Sequence, residues 1–228
     1  MTRAVVIGQS HCNAIAQALA AGDPGNDSGI RVYRVGDHDF GPNGEPFTFG
    51  AGIPMVAAMP AGTPIFLSML GGYHNVLALL ESGPRFDFLL DSQDVAEPPP
   101  TVQVPNRALA GVLEDVFGEA RKIHKMKAAA KARVYLLSIP PPKRSNDFIM
   151  SRLIAQTKKV YRGPGSLEVG VERPEIRLKL WRLEARLLAS WAQRGAMGFI
   201  PPPAEACDED GFLGERFYDD ATHANAEY

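Results

Sequence analysis

The sequence predicts an α/β fold, a three-layer α/β/α sandwich built on a five-stranded parallel sheet. Short apolar runs rich in β-branched residues recur along the chain, as strands buried on both faces require. Stretches with helical apolar spacing separate most of these runs, and that alternation implies a parallel sheet covered by helices. The runs stop at glycine, proline or polar clusters, where a parallel sheet presents its carboxyl ends to a ligand.

The first strand is residues 3–7, an apolar run that stops at Gly8 and is predicted to be central. From His11 the pattern changes to Ala14, Ile15, Ala18 and Leu19 at helical spacing, ending near Gly22, with Asp23-Pro24-Gly25 as a breaker. Further strands are predicted over 30–35, 64–70, 133–139 and 197–200. Helices are predicted over 76–80, 107–131, 147–161 and 174–194. Three stretches, 37–62, 83–105 and 201–219, hold much of the glycine and proline and read as loops around a site. They connect or follow elements of one sheet, so residues 1–228 are expected to form one domain. The triplets Pro140-Pro141-Pro142 and Pro201-Pro202-Pro203 read as stiff strand exits.

Composition narrows the function classes. The chain has 228 residues, 45% of them hydrophobic and 22% charged, and a formal net charge of -2, which gives no electrostatic reason to expect nucleic acid. The basic 121–133 stretch reads as a solvated helix face. Cys12 and Cys207 cannot build a disulfide framework, and no run of 18 apolar residues exists to insert into a membrane. With no targeting segment before the first strand, a cytoplasmic location is expected. His38, His74 and His124 stand alone and neither cysteine lies in a paired motif, so a zinc site is disfavoured. After Gly8 no glycine occurs until Gly22, which excludes a phosphate-binding glycine loop there.

Four places carry candidate chemistry. Ser10 lies between a strand and a helix, where a hydroxyl is exposed beside the N–H groups of a helix N-terminus; the same position suits a helix cap. Asp220 and His223 bracket two small residues, Ala221 and Thr222, at a spacing that brings carboxylate and imidazole to one side of a turn. The run Ser68-Met69-Leu70-Gly71-Gly72-Tyr73-His74-Asn75 ends a strand in two glycines and an amide that can donate to a developing oxyanion, or that can cap the next helix. Gly36-Asp37 follows the second strand as a turn.

Together these positions resemble the SGNH hydrolase superfamily, the GDSL-type esterases and lipases, in motif order over most of the chain. The serine block is Gly8-Gln9-Ser10-His11, with Gln9 where the family has Asp. Gly36-Asp37 matches the second block, and Asp220 to His223 matches the final Asp-x-x-His. The third block, Gly-x-Asn-Asp in the family, aligns either Asn75 or His74 with its amide donor; Asn75 offers the same amide.

The resemblance implies a flavodoxin-like topology and acyl transfer through a covalent intermediate. Ser10 would be nucleophile, His223 base and Asp220 its orienting carboxylate, with the N–H groups of Ser10 and Gly36 and the Asn75 amide forming the oxyanion hole. It requires no cofactor. The implied substrate is a small-molecule or carbohydrate ester, with an O-acetylated carbohydrate as one expectation. An O-acyltransferase using the same Ser and His, or a catalytically silent binding protein of the same fold, is the alternative.

Overall fold

The computed structural model describes residues 2–22, 28–35, 48–81, 83–92, 94–117, 120–160 and 170–228. In chain order the elements are β1 (Ala4–Gly8), α1 (Cys12–Ala21), β2 (Ile30–Arg34), α2 (Phe49–Ala58), β3 (Ile65–Ser68) and α3 (Tyr73–Ala78). There follow β4 (Phe86–Asp87), β5 (Val102–Gln103), α4 (Asn106–Val116), α5 (Ala120–Ala129), β6 (Val134–Leu137), α6 (Asn146–Val160), α7 (Pro174–Arg194) and β7 (Gly198–Ile200).

Five strands form one parallel sheet in the order β2-β1-β3-β6-β7, with helices flanking it. This is the doubly wound flavodoxin-like order, and its reversal point falls between β1 and β3. A crevice therefore opens at the carboxyl ends of these two strands, directly after Gly8 and Ser68, which face each other in register. Every residue of β1 is buried, whereas β3 and β6 alternate buried and partly buried side chains. Val5, Ile7, Ile65, Leu67 and Leu136 are fully buried. Each such side chain contributes about 1.5–3 kcal/mol of burial free energy, which fixes the register that aligns the strand ends.

The helices add to this core in groups. α2 packs on α5, while α3 and α4 pack on α7. α7 begins with Pro174 in its first turn, where the missing N–H costs nothing, and runs to Arg194 as predicted. Its buried stripe includes an arginine: Arg177 is fully buried, and its guanidinium donates to Asn146 Oδ1 at 2.8 Å and to the carbonyls of Lys143 at 2.8 Å, Arg144 at 3.2 Å and Glu172. Those bonds offset the desolvation of the charge and lock the loop after β6 onto α7.

Several predicted loops and boundaries differ. The 37–62 stretch contains α2, begun by Thr48, whose Oγ1 accepts from the N–H of Ala51 at 3.2 Å. Gly50, Gly52 and Pro54 disguise it in sequence, since Gly and Pro both disfavour helix interiors. The 83–105 stretch holds the short parallel pair β4-β5, and 201–219 holds 3₁₀ turns at Ala204–Ala206 and Glu215–Phe217. The single helix predicted over 107–131 is two, α4 and α5; Gly118 follows the end of α4 in the sequence, and glycine is costly within a helix.

Candidate active site

β1 ends in a close approach. A Cβ on Gly8 would lie 2.7 Å from the carbonyl oxygen and 2.8 Å from the Cβ of Ser68, so glycine is required for the two strand ends to meet. The chain then turns tightly, with the N–H of Cys12 donating to the Gln9 carbonyl at 3.0 Å and that of Asn13 to the Ser10 carbonyl at 3.1 Å. Ser10 is thereby carried at the tip of β1 with its side chain partly exposed, at the entrance to α1.

The second half of the site comes from the far end of the chain. Tyr218 and Ala224 form an antiparallel bridge, and the N–H of Asp219 donates to the His223 carbonyl at 3.3 Å, closing the 218–224 segment into a hairpin-like turn. Within it Asp220 Oδ1 accepts from the N–H groups of Thr222 and His223, both at 2.7 Å. Asp220 Oδ2 accepts from His223 Nδ1 at 2.8 Å, and Nε2 of the same ring stands 2.9 Å from Ser10 Oγ. A proton on Nδ1 leaves Nε2 as a lone pair, the tautomer that can accept the serine proton. Asp219 is exposed and lies at the wall of the cavity beside this relay.

The electrostatics suit a base flanked by an anion. Burial alone would raise the Asp220 carboxyl, but the hydrogen bonds from His223 and Thr222 outweigh it and hold the group well below the usual carboxylate range. His11, whose ring centroid lies 4.9 Å from that of His223, is brought down to about 4, chiefly by burial and then by the neighbouring His223, His74 and Lys143. It is therefore neutral where His223 would act as a base, and adds no positive charge against the imidazolium formed on proton transfer. A cavity of about 540 Å³ opens beside Ser10 and His223. Its walls are largely apolar, from Ala14, Ile15 and Ala18 of α1, Leu137 and Ile200 at strand ends, and Tyr228.

The third block takes an unusual backbone path. Leu70, Gly71 and Gly72 have φ values of 64°, 100° and 81°, three left-handed residues in succession at the exit of β3. Leu70 carries the conformational cost of a left-handed backbone while its side chain is buried in the core, and a Cβ on Gly71 would collide with Ile139 at 2.7 Å. The path brings Gly72 beside His11 and starts α3 at Tyr73, ahead of the predicted start.

A residue from α7 receives that helix end. Glu184, 0% exposed, accepts from the N–H groups of Tyr73 at 3.0 Å and His74 at 3.3 Å and from His74 Nδ1 at 2.8 Å. Its carboxylate caps α3 as a side chain local in sequence would, at the end where the helix dipole favours an anion. With Nδ1 engaged by Glu184, only Nε2 of the His74 ring remains to reach another group. Asn75 follows in the first turn of α3, partly buried; neither residue lines the cavity at Ser10. Gly36 and Asp37 lie outside the described residues.

Among the described residues, no group of three or more His, Cys, Asp and Glu side chains could hold a metal ion, and no helix is long and apolar enough to cross a membrane. Glu184 and Lys143, whose Nζ donates to the His223 carbonyl at 2.8 Å, were not foreseen from the sequence. Glu184 had a signal: it recurs at helical spacing with Arg177, Leu180, Trp181 and Leu188, placing a charge on the buried stripe of α7. Lys143, after three prolines, had none.

No family model and no curated protein matches the chain. Solved structures to which it is similar include an extracellular lipase from Streptomyces rimosus, at 12% identity and a TM-score of 0.46, covering 100% of this chain and 94% of that one. The periplasmic domain of a lipopolysaccharide acetyltransferase from Salmonella ser. Paratyphi A is similar at 12% identity and a TM-score of 0.43, over 93% and 71% of the two chains. A GDSL-like lipase from Bacteroides thetaiotaomicron is similar at 12% identity and a TM-score of 0.38, over 99% and 81%. What the site can do follows from its own atoms.

Proposed function

We propose that this protein is a serine hydrolase of the SGNH type that cleaves carboxylic esters through an acyl-enzyme on Ser10. The observation that carries the proposal is the continuous relay from Ser10 Oγ through His223 to Asp220, at 2.9 and 2.8 Å, assembled from opposite ends of the chain. A helix cap needs no imidazole at its hydroxyl, and a structural histidine needs no serine on its outer nitrogen. Nucleophile, base and orienting carboxylate need this order.

In the proposed reaction His223 Nε2 takes the Ser10 proton as Oγ attacks the ester carbonyl. Asp220 stabilises the imidazolium, which then protonates the departing alkoxide. Water, deprotonated by the same ring, attacks the acyl-enzyme and releases the acid. The N–H of Ser10, with the N–H of Gly36 and the Asn75 amide, is proposed to receive the oxyanion. The cavity beside Ser10 supplies a mainly apolar surface for one arm of the ester, with no metal required by this chemistry.

The test is turnover of a panel of aryl and sugar esters of graded acyl length, O-acetylated sugars among them, with Ser10→Ala run in parallel. Hydrolysis that is lost in Ser10→Ala supports the reading. Hydrolysis retained in that variant, or none with any ester, contradicts it.

A further inference from the structure

Resting on the hydrolase reading above, we propose that Lys143 is a positioning residue for the base: its buried ammonium holds the backbone carbonyl of His223, and with it the turn that carries the imidazole, against the β6–α6 loop. Lys143 belongs to the loop between β6 and α6 and is 3% exposed, although lysine is among the residues least often fully buried without a partner. Its Nζ donates to the His223 carbonyl at 2.8 Å and lies 5.4 Å from the centre of the Tyr218 ring. Its own backbone is fixed from two directions. Its carbonyl accepts from Arg177 at 2.8 Å, and it bridges to Leu213. The rigid β6–α6 loop is in this way tied to the hairpin-like turn that carries Asp220 and His223.

A buried ammonium is costly to keep unless something uses or compensates it. The charged and titratable groups facing it are Asp219 and Asp220 in the terminal turn, His223, the Tyr218 ring beneath it, and His11 across the site from the β1–α1 turn. Arg144 next to it turns outward to Asp208 and Asp210. The attraction of Asp220 and Asp219 compensates part of that cost, and the His223 carbonyl takes the hydrogen bond.

Burial lowers the Lys143 ammonium to about 8 despite the attraction of Asp220 and Asp219, so the charged form still predominates at neutral pH.

The test compares the full chain with Lys143→Met and Lys143→Gln, reading the amide resonances of residues 219–224 and the steady-state rates of ester hydrolysis on the same samples. Met should displace those resonances and lower kcat by about tenfold or more with little change in KM. Gln, which can still donate to the His223 carbonyl, should recover much of both. Resonances and kcat unmoved in folded variants, or a Gln variant no better than Met, overturn the proposal. In the unsubstituted protein the Lys143 ammonium protons should be protected from exchange with solvent; free exchange overturns the proposal even if neither variant folds. The resonance and exchange readouts need no turnover, so their failure is distinct from failure of the hydrolase reading.

Discussion

At single residues, the proposed catalysis turns on the proton held between Asp220 and His223. Because His223 acts as a base only when neutral, kcat/KM for an ester should fall on the acid side with the titration of this ring. Asp220→Asn keeps the shape, but its amide can offer Nδ1 a donor instead of an acceptor and no longer stabilises the imidazolium. Loss of kcat on the order of a thousandfold or more is expected, with Asp219→Asn almost without effect, as steady-state rates of the pair will show. Asn75 and His74 separate by kind of effect. Asn75→Ala should lower kcat by about a hundredfold with little change in KM, whereas His74→Ala strips Glu184 of one partner and should appear mainly as lost stability in urea. A larger kcat loss for His74→Ala than for Asn75→Ala would place the donor at His74. Ser10, Asp220 and His223 were legible in the sequence because each stands in a short local pattern: a strand end, or an i,i+3 pair. Lys143 and Glu184 were not placed, because their partners lie 80 and 110 residues away, and only the fold brings them together.

At the scale of elements, the short α3 depends on α7. Six residues make a marginal helix, and its first N–H groups find their acceptor in a buried carboxylate from a different part of the chain. Glu184→Gln leaves one carbonyl oxygen to serve three donors and introduces an amide that must itself be satisfied. A loss of about 1–3 kcal/mol is expected, measured by urea unfolding, together with altered amide resonances at Tyr73 and His74. Unchanged stability would mean that α3 is held by its apolar contacts alone. The strands were readable to within a few residues because β-branched apolar runs stop where the sheet ends. α2 was hidden because Gly50, Gly52 and Pro54 argue locally against a helix that tertiary packing on α5 supports. The break between α4 and α5 was likewise masked, by continuous apolar spacing across it.

At the scale of the whole molecule, the site ties the first and last segments together, so stability and site charge are linked. His11 must give up a neutral buried state to be protonated: its folded value, about 4, lies below its ordinary 6.5, so the unfolded chain binds the extra proton between them. Its contribution is present above pH 6.5 and lost as pH falls through about 4. The Asp220 contribution is present above its ordinary 3.8 and lost below that, as pH falls toward its depressed folded value. Urea midpoints between pH 7 and pH 4.5 should therefore decline less steeply in His11→Gln than in the unsubstituted protein; parallel declines would contradict the burial of a neutral His11. Whether Ser10 is the one activated nucleophile is settled by covalent labelling with a fluorophosphonate followed by peptide mass spectrometry. One adduct on the peptide containing Ser10, absent in Ser10→Ala and strongly slowed in His223→Ala, is the predicted result; an adduct on Ser68 or Ser138, or no adduct at all, would contradict it.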